Sequence, residues 1–142
     1  MASNKAILIK KIKEILKNRD EIIFAYLHGS YIIEKISRDV DIGLYCDLEK
    51  INFKTILDAE LTYSAELSYK LNENIDVKIL NCAPLSFQMN VLKRGKIIKE
   101  NIARRTDYIE EVSTKYLDYK PFKIDFENEL NNMCVEATNG IH

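Results

Sequence analysis

Only two histidines, His28 and His142, and three scattered cysteines, Cys46, Cys82 and Cys134, occur in the chain. With no CxxC pair and almost no imidazole, zinc knuckles, dithiol redox motifs and His-based triads lack raw material. The cysteines are expected to be reduced and mostly buried small hydrophobes, and any metal site has to be built from oxygen. Charge of one sign is not in excess either. Twenty-one Lys and Arg face 22 Asp and Glu, for a formal net charge of -1. Such a balance gives no footprint for coating DNA or an anionic membrane, so bulk nucleic-acid binding is not expected and any nucleotide contact is local. No eighteen apolar residues run together, which excludes a spanning helix, and the Ala6 to Ile9 run is cut by Lys10 and Lys11 before it reaches the length of a signal-peptide core. A cytoplasmic location is expected. Glycine and proline are few, and a hydrophobic content of 46% over 142 residues is enough for one core in one domain.

What is present is an alternation of helical and strand-like segments. Ala6, Ile9, Ile12, Ile15 and Leu16 recur at helical spacing, and Asn18 to Asp20 ends that helix. Ile22 to Leu27 is a compact apolar run suited to a buried strand, followed by a turn at His28, Gly29 and Ser30 and a short helix from Tyr31 to Lys35. Val40 to Cys46 reads as a second strand. From about Phe53 to Leu71 a long amphipathic helix is expected, with Ile56, Leu57, Leu61, Ala65 and Leu67 on its apolar side. Ile75 to Leu80 is a third strand. Pro84 opens a helix through Leu92, ended by Gly95 as a left-handed C′ residue, and Lys96 to Ile98 is a short edge strand. A final helix runs from about Arg104 to Tyr119 and stops at Pro121. This order predicts an α/β (α+β) domain, a mixed β-sheet flanked by helices.

The informative feature is where the carboxylates fall. Aspartate is depleted from strand interiors, yet Asp41 lies inside Val40 to Leu44, Asp39 opens that run, and Asp76 lies inside Ile75 to Leu80. Strand alternation puts Asp39 and Asp41 on one face with Cα atoms roughly 6 to 7 Å apart. If the third strand pairs beside the second, Asp76 joins them, and three like charges repel unless a cation neutralises them. All-oxygen donors favour Mg²⁺, which takes further ligands from phosphates and water. Paired ions about 3.5 to 4 Å apart are a device for in-line phosphoryl displacement. Each aspartate taken alone also has an ordinary reading: a turn acceptor, a salt-bridge partner, a solvated side chain. Gly29 and Ser30, after a buried strand, permit close backbone approach and hydroxyl donation to a phosphate oxygen, or simply make a turn. His28 either touches a phosphate or serves the turn backbone. Tyr108, Tyr116 and Tyr119, at helical spacings, form a partner-facing stripe or a core stripe. Lys93, Arg94 and Lys96 form a phosphate or RNA contact or a solvated basic turn.

His28-Gly29-Ser30, Asp39-Val40-Asp41-Ile42 and Asp76 together resemble the DNA polymerase β-like nucleotidyltransferase superfamily, and its minimal nucleotidyltransferase (MNT) proteins in particular. The likeness reaches over about residues 5 to 120, including the stretch from Asp76 through Pro84 to Ile98, and the later helix with Asp107, Tyr108, Tyr116 and Asp118 is similar to that of MNT antitoxins paired with HEPN-type ribonuclease toxins. The spacer from Tyr31 to Arg38 is eight residues and lacks glycine, shorter than the family's usual one, which implies altered seating of the phosphates. A nucleotidyltransferase domain is expected over residues 1 to 120, with residues 121 to 142 as a C-terminal tail that either folds alone or docks a partner. The resemblance has further implications for the site. It implies two Mg²⁺ ions held by Asp39, Asp41 and Asp76, these three also being catalytic, with ATP as donor and its phosphates held by Gly29 and Ser30. It further implies AMP transfer to a tyrosine of the HEPN toxin, in a homo- or hetero-oligomer, with the chain acting as antitoxin. Two other classes stay open: a binding module of the same fold that neutralises a toxin sterically, and a nucleotidyltransferase for a small molecule of the aminoglycoside type. The last is disfavoured because such enzymes usually carry an additional substrate-binding domain.

Overall fold

A computed structural model describes residues 4–29 and 39–119. Ser30, the short helix expected from Tyr31 to Lys35, Pro121, Cys134 and the tail 121–142 lie outside those residues. The described elements are α1 (Asn4–Lys17), β1 (Ile22–His28), β2 (Asp39–Cys46), α2 (Ile56–Leu71), β3 (Asn74–Ile79), a 3-10 turn (Leu80–Cys82), α3 (Leu85–Arg94), β4 (Lys96–Lys99) and α4 (Ile102–Tyr119). The strands form one sheet in the order β3-β2-β1-β4. β1 is antiparallel to both β2 and β4, whereas β2 and β3 are parallel and are joined through α2. The expected mixed sheet flanked by helices is therefore present. No helix among the described residues is long and apolar enough to cross a membrane.

Helices cover both faces, and the central strand shows it. Every residue of β1 except Ile23 is buried, as a strand between two layers requires. One layer is purely apolar: Leu8, Ile12 and Leu16 of α1 and Ala59, Tyr63 and Leu67 of α2 pack on Leu27, Ile42, Val77 and their neighbours. The other layer is aromatic. Phe24 stacks on Tyr45 with ring centroids 4.6 Å apart, and Tyr108 of α4 leans on both at 5.4 and 4.7 Å. Tyr108 Oη donates to Gln88 Oε1 at 2.7 Å, tying α4 to α3, and burial pushes its phenol pKa well up. Of the two readings of the tyrosines, Tyr108 is core and Tyr116 packs half-buried at its margin.

Four local expectations need correction. α2 begins at Ile56 rather than near Phe53, because Thr55 is extended and its side chain accepts from the Asp58 N–H at 3.1 Å, the geometry of an N-cap. Its buried side carries Ala59, Tyr63 and Leu67, while Leu57 and Leu61 are each 59% exposed and Ala65 is exposed. The reason is a polar stripe between the two apolar ones. Glu60, Ser64 and Ser68 accept from the N–H groups of Ile79, Val77 and Ile75 at 2.8, 2.8 and 3.0 Å, so α2 lies against the outer edge of β3 and satisfies it. Gly95 ends α3 in an extended conformation (φ -77°, ψ 161°), not a left-handed one. Glycine is needed there for room, since a Cβ would meet the Val91 carbonyl oxygen at 2.5 Å and Tyr26 Cδ1 at 2.9 Å. Finally, Cys46 is buried, its thiol pushed up to about 12 mainly by burial, but Cys82 is exposed.

Candidate active site

Alternation along β2 sends Val40, Ile42 and Leu44 into the apolar layer and leaves Asp39, Asp41, Gly43 and Tyr45 on the aromatic face. Register then decides what lies beside them. In the parallel ladder Asp41 is opposite Asp76, Asp39 opposite Asn74, and Gly43 opposite Lys78. In the antiparallel ladder His28 is opposite Asp41. Partners in register point to the same face, so His28, Asp41 and Asp76 form one row across three strands, with Asp39 one step before it and Lys78 one step after. The helices α3 and α4 cover the Phe24, Tyr45 and Leu80 end of this face. At the acidic end Asp39 and Asp76 are exposed, and Asp41 is partly buried.

The electrostatics follow from that crowding. The Asp41 carboxyl is raised above the ordinary carboxylate range, first by burial and then by the charges of Asp76 and Asp39, while Lys78 pulls it back. Asp39 Oδ1 accepts from the Asn74 side-chain amide. Burial lowers the pKa of the His28 imidazole, and the Asp76 charge opposes that shift. Gly29, directly after His28, has φ +78°, and a Cβ there would sit 2.3 Å from Asp41 Oδ2. The turn backbone therefore abuts the central carboxylate, which only glycine allows.

Of the residues singled out in the sequence, Asp39, Asp41, Asp76 and Gly29 come together at this corner, and Ser30 lies outside the described residues. The donor set is all oxygen and of one sign, which fits a hard divalent cation completed by phosphate and water. Among the described residues no three His, Cys, Asp or Glu side chains are gathered closely enough to hold a metal by themselves. Sequence reasoning passed over Lys78 and Asn74. Lys78 was detectable, standing two residues after Asp76 and hence on its face. Asn74 depended on register, which is not written in a single strand. Away from the corner it also passed over Arg105, which is 4% exposed, forks onto Glu100 at 2.7 and 2.6 Å and donates to Tyr26 Oη at 3.2 Å. That group braces α4 on the sheet.

The corner thus joins a strand ending in a glycine turn, a second strand with two same-face aspartates and a parallel third strand with one more, and residues 10–104, which contain it, match the polymerase beta nucleotidyltransferase family. The chain belongs to that family. Membership agrees with the resemblance drawn from the motifs, and the four-stranded mixed sheet is the fold of these nucleotidyltransferases. No curated protein matches the chain. Solved structures do. A chain of the MntA–HepT toxin–antitoxin complex superposes with a TM-score of 0.62 at 18% identity, covering 80% of this chain and 87% of that one. A toxin–antitoxin structure with AMP-PNP gives 0.63 at 20% identity, covering 82% and 90%. A complex of tri-AMPylated Shewanella oneidensis HEPN toxin with MNT antitoxin gives 0.64 at 19% identity, covering 81% and 88%. At such identities the likeness establishes the shared nucleotidyltransferase fold.

Proposed function

We propose that this nucleotidyltransferase is an antitoxin that transfers AMP from ATP to a tyrosine hydroxyl of a cognate HEPN ribonuclease toxin in the cytoplasm, silencing RNA cleavage. The observation that carries the reading is the row of carboxylates: Asp41 and Asp76 in register on β2 and β3, with Asp39 on the same face. Support comes from structures of the same fold, one with AMP-PNP and one with a tri-AMPylated HEPN toxin. Three mutually repelling carboxylates have no use in a module that only binds.

Asp39, Asp41 and Asp76, together with phosphate and water, would hold Mg²⁺, with two ions as the expected number; bound there, it would supply charge neutralisation for the triphosphate and activation of the incoming hydroxyl. Gly29 and Ser30 bind the β and γ phosphates through the turn and fix the α phosphorus for in-line attack. Asp76, at the rim of the row, orients the tyrosine hydroxyl and takes its proton. The tyrosine oxygen bonds to the α phosphorus as the bond to the β-phosphate oxygen breaks, leaving AMP-tyrosine and pyrophosphate. In this reading residues 1 to 120 form the catalytic domain and the tail 121–142 docks the partner.

The test is incubation with labelled ATP, Mg²⁺ and the product of the adjacent gene, assayed as a HEPN ribonuclease. Label on the toxin that disappears with Asp39→Ala or Asp41→Ala is expected. Toxin neutralised with no label transferred replaces the enzyme by a steric binding module, and label on an aminoglycoside instead replaces the protein substrate by a small molecule.

A further inference from the structure

One side chain in the carboxylate row has no part in the chemistry above. His28 closes β1, is the antiparallel partner of Asp41 and is only 7% exposed. Its Nε2 is buried without a hydrogen-bond partner. Phe87 of α3 holds the ring edge to face, with centroids 5.3 Å apart and planes at 87°. Buried polar atoms are normally paired, and leaving one unpaired is destabilising. A core role does not explain the expense, because a phenyl or leucine side chain would fill the same space against Phe87 without it.

The surroundings indicate what the nitrogen pairs with. Ionised Asp39, Asp41 and Asp76 only accept hydrogen bonds, and so do the oxygens of a nucleoside triphosphate. Bringing the two together needs donors as well as cations. The Asn74 amide donates to Asp39, and Lys78 stands one step further along the sheet. Within the row itself His28 is the one side chain that carries N–H, and it immediately precedes the glycine turn that abuts Asp41.

We propose that His28 is a nucleotide-contacting residue whose Nε2–H donates to a phosphoryl oxygen of a triphosphate bound at the Gly29 turn, beside the carboxylate row. The claim rests on the reading of the site as an ATP site. Phe87 packs edge to face on the ring and restricts its orientations, so little side-chain freedom is lost when Nε2–H gains its acceptor.

The experiment titrates Mg²⁺ and AMP-PNP into the full chain by calorimetry, with thermal melts of the nucleotide-free proteins alongside. His28→Phe is expected to weaken nucleotide binding at least tenfold while its melting temperature stays level or rises, since an unpaired buried nitrogen has been removed. His28→Gln, which returns an amide N–H near the Nε2 position, is expected to bind within threefold of wild type. His28→Leu replaces the Phe variant if that one does not fold. Wild-type affinity in the variant lacking the donor overturns the proposal. So does a lower melting temperature with unchanged affinity in the folded fraction, which marks the histidine as structural. A wild-type chain that binds no AMP-PNP sinks the ATP reading and His28 with it, whereas binding that is indifferent to residue 28 sinks His28 alone.

Discussion

The two faces of β2 differ more than any other pair of surfaces in the molecule. On one, Val40, Ile42 and Leu44 are 1% exposed or less and lie in the hydrophobic cluster formed with α1, α2 and the neighbouring strands. On the other, within the same eight residues, Asp39 and Asp41 stand beside Asp76, and Tyr45 joins an aromatic cluster only at the far end. The first face supplies stability and carries no chemistry. The second gives stability up at one end: like charges are pressed together, Asp41 is partly buried, and His28 keeps an unpaired nitrogen. A strand whose opposite face is so well packed can hold such a corner in place, as functional sites commonly require.

Adjacent residues on β2 give the sharpest test of that contrast. Ile42→Ala is expected to lower unfolding free energy by about 2 to 5 kcal/mol in denaturant titration, through lost burial and the cavity left behind, with AMP transfer per folded molecule little changed. An equal loss of specific transfer would show that the two faces are not separable. Asp41→Asn is expected to do the reverse, cutting transfer by roughly 10²- to 10³-fold, the scale of losing one preorganised electrostatic group, without destabilising the fold.

The same variant carries a pH signature. The Asp41 carboxyl is raised in the folded state by burial and by its acidic neighbours, so its contribution to stability is present below the ordinary carboxylate range and is lost as pH rises through the raised value. The melting temperature of nucleotide- and metal-free Asp41→Asn should therefore pull ahead of wild type as pH climbs out of that range, and the two should converge at lower pH. A gap that widens on acidification contradicts the sign.

Smaller effects follow. Gly29→Ala puts a Cβ against Asp41 Oδ2 at a φ of +78°, for a strain of about 1 to 2 kcal/mol, and is expected to reduce nucleotide affinity more than stability. Ser64→Ala removes the acceptor for the Val77 N–H at the sheet edge and should cost about 1 kcal/mol with transfer intact.

Much of this was readable from residue order. Each strand lies within one or two residues of its expected place, because β1 is an apolar run from Ile22 to Leu27 and β2 alternates. The face shared by Asp39 and Asp41 followed from that alternation alone. The face of α2 did not. Its sequence holds two apolar stripes, one through Ala59, Tyr63 and Leu67 and one through Leu57, Leu61 and Ala65, and periodicity cannot rank them. The edge of β3 chose, by drawing Glu60, Ser64 and Ser68 onto its N–H groups. Gly95 differs from expectation for a partly related reason: its constraint is lack of room, set by the Val91 carbonyl of its own helix and by Tyr26, a residue distant in sequence, and not its backbone angle.

By itself, then, the chain's order of residues settled which segments extend or coil and that two aspartates share a side, since those depend on neighbours within a few positions. Only the folded sheet decided that Asp76 lies beside Asp41 and that His28 completes the row. Register couples residues tens of positions apart, and a slip of one would send every one of these side chains to the opposite face.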